Sequence, residues 1–326
     1  IDGLDELDNG EARLNWCRWA RYPDCQGSRL LLSVKQGTVA AKRLNAFQRL
    51  TSLTLLDTPQ ARRALVEQKL RRSLKRLEPD QLDALCSAPH ADNPLFLSEV
   101  LYELGLHGNR STLPARLQEL LPLDAAGVAG KIFDRLEQDP AYLDVEQKPF
   151  LQAMFGLLGD ARFGLTEDDL ADILVGVKRA PNKEMALAAV RYYARQLRPF
   201  LIWRGGRLNF LYATWHALCR QRYGGRWHSA LAFRFFNLCD AQSSGPYLGQ
   251  EPLPFREFSY HTRFCGNQRM SQEVPTRLAI SCDWVWVKLR LCGARALLEE
   301  VENGPEAVRQ SGLPAFYRDC ETLLDA

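Results

Sequence analysis

The stretch from Phe200 to Tyr212 constrains the fold of this chain more than any other. Phe200-Leu201-Ile202-Trp203-Arg204 and Arg207-Leu208-Asn209-Phe210-Leu211-Tyr212 are two runs rich in strand-forming residues, with Gly205-Gly206 between them. The tightest hairpin loops need positive φ, which glycine adopts without a steric penalty. The spacing therefore predicts a β-hairpin. Upstream of it, Pro149 to Leu158, a start at Leu165-Thr166-Glu167-Asp168-Asp169-Leu170, and Glu184 to Leu197 read as three helices. Thr166 followed three residues later by Asp169 has the form of a helix cap.

Three helices and then a hairpin is the element order of a winged helix. In the third helix, Leu187, Val190, Tyr193 or Ala194, and Leu197 are three or four residues apart, so one face is expected to be buried. Arg191, Arg195 and Arg198 lie opposite. With Lys183 they would also suit a DNA-reading helix. The apolar stripe and the small net charge weigh against sequence-specific recognition, leaving only nonspecific phosphate contact.

The rest of the chain after residue 57 reads as helices. Thr58-Pro59 starts one that runs to about Leu77, with Thr58 as cap and Pro59 at its first position. Arg62, Arg63, Lys69, Arg71, Arg72, Lys75 and Arg76 on it form either an anion-binding face or, the favoured reading, a solvated face. Pro79 to Ser87, Pro94 to about Leu106 with Asn93 as cap, Leu113 to Leu121 and Ala125 to Gln138 follow. After Tyr212 come Trp215 to Tyr223 and Trp227 to Asp240. A Gly/Pro/Ser loop from Ala241 to Pro254 reads as a domain boundary. Phe255 to Cys265, Pro275 to Ile280, Asp283 to Val301 and Pro314 to Leu324 continue as helices, with Trp284 and Trp286 read as packing residues.

The chemistry-bearing residues cluster at the start of the chain. Ile1-Asp2-Gly3-Leu4-Asp5-Glu6-Leu7 runs from an apolar residue into three acids. A buried parallel strand ends in this way at the crevice where open α/β sheets bind ligands. A carboxylate there can hold Mg²⁺, and a second can orient water for attack on a phosphoryl group. The same residues also fit an acidic turn after a strand. Leu14 to Ala20 reads as helix, and Ser28 to Lys35 as a second strand ending at Ser33 and Lys35. The order and length match a βαβ unit, and a hydroxyl and an ammonium at that edge could report on a γ-phosphate.

Asp2-Gly3-Leu4-Asp5-Glu6 resembles the Walker B motif of NACHT-type STAND ATPases, and Leu30 to Lys35 resembles their sensor 1 strand. Asn93-Pro94-Leu95 is similar to the Asn-Pro-Leu of the family's arm domain. The likeness extends over nearly the whole chain, with the telomerase-associated and nephrocystin-like branches nearest. It implies Asp2 as the Mg²⁺ ligand, Asp5 or Glu6 as the water-positioning acid, Ser33 and Lys35 as γ-phosphate sensors and Pro94 as the adenine contact. The family often ends a winged-helix strand in histidine facing the β-phosphate. Tyr212 stands there in this chain, with His216 one helical turn later. Tyr212 is thus either a hydrogen-bond donor to the diphosphate or a packed aromatic. One departure is large: no G-x-x-x-x-G-K-[ST] phosphate loop occurs in the sequence. The chain is therefore expected to be a fragment that binds ATP or ADP with Mg²⁺ only when that half is supplied.

Composition narrows the alternatives. With 42 basic and 39 acidic residues in 326, the net charge of +3 does not call for a nucleic-acid partner. Nine cysteines, an odd number with no C-x-x-C pair, suggest reduced thiols and a cytoplasmic location. No run approaches membrane-spanning length, and no nucleophile motif stands out.

The expected fold is mostly α with a minor α/β part. Residues 1–57 would be the C-terminal part of a P-loop nucleotide-binding sheet, 58–140 a helical arm, 141–224 a winged helix and 225–326 a helical superstructure. The expected function is an ATP-dependent signalling or scaffold switch. Its partners would be protein subunits, including copies of itself, with no specific nucleic acid and no membrane. Two other readings remain: an interaction scaffold with a degenerate nucleotide site, and a winged-helix nucleic-acid-binding module.

Overall fold

The computed structural model describes residues 56, 58–72, 76–138, 146–241 and 251–324, and the chain from Thr58 onward forms one unit. Among the described residues it is mostly helical, with one two-stranded sheet.

Among the described residues, five helices come first: α1 (Pro59–Arg72), α2 (Pro79–Cys86), α3 (Pro94–Leu106), α4 (Leu113–Leu120) and α5 (Ala125–Gln138). Their starts follow from short polar side chains that satisfy the first free amides of a helix. Thr58 Oγ1 accepts from the Ala61 amide at 3.2 Å, and Asn93 Oδ1 from the Leu95 amide at 2.9 Å. Residues 76–78 are not helical, so the sequence-predicted end near Leu77 is too long. Of its basic residues, Arg63, Arg71 and Arg72 are exposed, whereas Lys69 is half-buried and reaches Ser98 Oγ at 2.9 Å.

The next elements are α6 (Gln147–Asp160), α7 (Glu167–Gly176), α8 (Lys183–Gln196), β1 (Leu201–Arg204) and β2 (Arg207–Phe210). The Thr166–Asp169 cap is reciprocal, each side chain accepting from the other's amide. Leu201 pairs with Phe210 and Arg204 with Arg207 in the antiparallel register that the Gly-Gly loop dictates. Gly205 and Gly206 both have positive φ, 56° and 75°, as a two-residue turn with the strands' own twist requires. Leu165, just before α7, adds a bridge to Leu208 through two backbone bonds of 3.1 and 2.8 Å. The close approach needs Gly164: a Cβ there would stand 2.4 Å from the Leu208 carbonyl oxygen. Most of the expected stripe on α8 is buried, with Val190, Tyr193, Ala194 and Leu197 all at 2% exposure or less, whereas Leu187 at its start is only half-buried.

Beyond the hairpin lie α9 (Ala213–Tyr223), α10 (His228–Ala241), α11 (Leu253–Thr262), a π-helical turn (Arg269–Glu273), α12 (Val274–Ala279), α13 (Cys282–Cys292), α14 (Ala294–Glu302), α15 (Glu306–Arg309) and α16 (Leu313–Leu324). Two expectations are corrected here. Asp283 to Val301 is two helices, because Gly293 adopts φ 81° and turns the chain between them. Trp286 is 64% exposed, while Trp284 is buried.

The main core crosses the expected boundary between arm and hairpin segments. Phe133 of α5 packs on Phe155 of α6 and on Trp215 of α9 with ring centroids 4.9 and 5.0 Å apart. Phe200, just before β1, stacks on Trp215 at 4.2 Å, and Tyr102 of α3 meets Phe200 edge-on at 5.0 Å. A second core of Leu297, Leu298, Val301, Val308 and Tyr317 holds α14 to α16 together.

Candidate functional site

Asp2, Asp5, Glu6, Ser33 and Lys35 lie outside the described residues. Pro94 and Tyr212 are within them, and each stands at the head of a helix. Pro94 is exposed in the first turn of α3, directly after its cap Asn93. Tyr212 is half-buried at the N-cap of α9, where its carbonyl accepts from the amides of Trp215 and His216 at 3.1 and 3.2 Å. His216 sits on the helix face near the Ala161 carbonyl.

The structure brings these two helices together through residues that the sequence reading passed over. Glu99, one and a half turns after Pro94, has no solvent exposure. Trp215 Nε1 donates to its Oε1 at 2.5 Å, and Oε2 has no hydrogen-bond partner. Burial pushes the Glu99 carboxyl up to about 8; the Trp215 bond opposes the rise and the charge of Asp124 adds to it. A buried carboxyl without a counter-ion avoids the desolvation cost by holding its proton. At neutral pH this junction is therefore a neutral acid bonded to an indole. One turn on, the Tyr102 hydroxyl donates to the Gln196 carbonyl at the end of α8 at 2.5 Å. Helix α3 is thus tied by hydrogen bonds to both helices that flank the hairpin.

Beside this junction, Glu103 is buried and accepts from Arg116 Nη2 and Arg135 Nε, both at 2.9 Å. An open cleft of about 610 Å³ adjoins it, lined among others by His107, Glu119 and Lys131. Lys131 and Arg116 both pair with Glu119. The cleft's cations are thus already matched by carboxylates, and it offers no unbalanced charge to an anion.

Two further clusters of buried polar groups involve the helices that follow the hairpin. Asp160, at the end of α6, accepts from the Gly225 and Trp227 amides and so fixes the turn into α10. Behind it His228 and His261 face each other with their Nδ1 atoms 2.8 Å apart. Burial lowers the His228 pKa, against the pull of Asp160. Burial alone would raise the Glu257 carboxyl, but the His261 bond and the Arg162 charge outweigh it and hold it low. Deeper in the C-terminal helices, Lys288 bonds the Glu300 carboxylate and Ser259 Oγ, and Trp284 Nε1 donates to Glu300 at 3.1 Å.

Among the described residues no group of three or more His, Cys, Asp or Glu is placed to hold a metal ion, and seven cysteines are free thiols. None of the described helices is long and apolar enough to cross a membrane. Glu99 and Glu103 carried one legible signal. Both fall on the stripe of Phe96, Val100 and Leu104, where a carboxylate must find a partner or a proton. No family model, no curated protein and no solved structure matches this chain.

Proposed function

We propose that this chain is part of an ATP-dependent switch of the STAND class, and that α3 carries nucleotide state to the hairpin segment. The observation that supports the reading is the double tie from α3, Glu99 to Trp215 and Tyr102 to Gln196. Pro94, the proposed adenine contact, heads that helix. A small displacement at Pro94 would move Glu99 and Tyr102 as one rigid body, because α3 is continuous between them. Packed interfaces of this kind respond by shifting between discrete arrangements. In the same proposal, residues 141–224 form a winged helix. Its support is the order α6, Leu165, α7, α8, β1, β2 with the Leu165–Leu208 bridge. Asp2 would hold Mg²⁺, Asp5 or Glu6 would position water, Ser33 and Lys35 would sense the γ-phosphate, and Tyr212 would lie on the diphosphate side. Protein subunits and homo-oligomers are the proposed partners.

Because the sequence lacks a phosphate loop, the 326-residue chain is expected to bind Mg-ATP more weakly than about 1 μM, roughly −8 kcal/mol. In a form that carries such a loop ahead of Ile1, Asp2→Ala should weaken Mg²⁺-dependent binding. Glu6→Gln or Asp5→Asn should slow hydrolysis with binding retained, since water positioning acts on the chemical step. Calorimetric titration and phosphate-release assays read these quantities. Unchanged turnover in all three variants would reduce the acidic stretch to a turn.

A further inference from the structure

Between Glu184 and Asp240 the chain contains no aspartate, glutamate or lysine, yet it carries nine arginines. The whole chain is near charge balance, so this segment concentrates its positive charge. Four of the nine are neutralised by carboxylates from elsewhere. Arg191 pairs with Glu167, Arg207 with Asp169 and Glu251, Arg222 with Asp134, and Arg234 with Asp169 and Asp172. Arg195, Arg198 and Arg204 have no such partner among the described residues, and all three are exposed.

These three follow one another along the chain, across the end of α8, the turn after it and β1. Arg195 is in the last turn of α8, Arg198 is three residues on, and Arg204 ends β1 at the hairpin tip. Trp203, next to Arg204, leaves 44% of its surface exposed. The N-terminal half of α8 is different: Lys183 is held by Asp168 and Asp172, and Arg191 by Glu167. A helix that reads duplex DNA works with its N-terminal residues in the major groove, and here those residues are already paired. The free charge is at the opposite end of α8 and on the hairpin, which also carries the exposed ring of Trp203.

We propose that the C-terminal end of α8 and the β1–β2 hairpin form a nonspecific docking surface for single-stranded nucleic acid. Arg195, Arg198 and Arg204 hold phosphates, and Trp203 provides a face on which a base stacks. Arginine suits the role because its planar fork bonds phosphate through two donors, and a base presents a π-face whatever its identity. An acidic peptide would satisfy the charges but leave Trp203 without a stacking partner.

The test is fluorescence anisotropy of the purified chain with a labelled oligothymidylate, titrated at several salt concentrations without nucleotide. Saturable binding is expected at low salt, with log K falling against log salt at a slope of about −2, since three phosphates contribute about 0.7 each. R195A/R198A/R204A should lower affinity at least about tenfold and flatten that slope. Trp203→Ala should weaken binding while leaving the slope unchanged. Arg226→Ala, at an exposed arginine elsewhere in the segment, should change little. Circular dichroism melting checks that each variant is folded. The proposal is overturned if the strand does not bind at low salt or if the triple variant binds like the parent. Capture by phosphatidylserine vesicles without strand binding would overturn it equally, by assigning the surface to anionic lipid.

Discussion

Glu99→Gln is expected to remove a pH dependence of several kcal/mol from the stability of this protein. The ordinary glutamate value is 4.5, and burial holds the folded Glu99 at about 8. Below the lower value both folded and unfolded chains are protonated, and the contribution of this group to stability is fully present. As pH rises from there towards 8, the unfolded chain ionises while the folded one keeps its proton, so stability falls. Above about 8 the native carboxyl ionises too and the loss levels off. At 1.36 kcal/mol per unit the loss between pH 5 and 8 is on the order of 3–5 kcal/mol. Glutamine keeps the acceptor for Trp215 but cannot ionise. Urea unfolding at several pH values should show a difference between parent and variant that grows in the variant's favour as pH rises. A difference independent of pH would mean that Glu99 is ionised in the native state.

Lys288→Met is expected to cost about 3–5 kcal/mol, because it strands the Glu300 carboxylate inside the protein. Lys288 is 1% exposed and Glu300 7%. Ser259 and Trp284 would still donate to the carboxylate, but neither carries charge. Adding Glu300→Gln removes that charge while retaining an acceptor for the indole. The double variant should therefore recover much of the loss. Denaturant midpoints of the two single variants and the double complete a cycle. Additive losses would show that the two side chains do not stabilise each other.

Much of the fold was legible because the helix starts are written locally. Thr58, Asn93 and Thr166 each cap from their own sequence neighbourhood, and Gly205-Gly206 fixes its hairpin by φ alone. The misreadings have physical causes. Gly293 sits in a helical apolar pattern, where glycine costs only about 1 kcal/mol, so nothing in the periodicity announced the break. Trp286 looked like core because of its size, but the helix turns it outward. The junction was less legible still. The stripe on α3 puts Glu99 in the interior, but its partner Trp215 is 116 residues away. No local pattern selects one tryptophan over another at that distance. Likewise the arginines between Glu184 and Asp240 all look alike in sequence, and only the acids of α5 and α7 divide them into paired and free.

The most direct measurement is hydrogen exchange across Pro94–Leu106 and Ala213–Tyr223, in a form that carries a phosphate loop ahead of Ile1. Mg-ADP would be compared with a non-hydrolysable ATP analogue. If α3 carries nucleotide state to the hairpin segment, protection should change in both helices together when one nucleotide replaces the other, and Glu99→Ala should confine the change to α3. Failure to bind either nucleotide, or binding that leaves both helices unaltered, would contradict the switch.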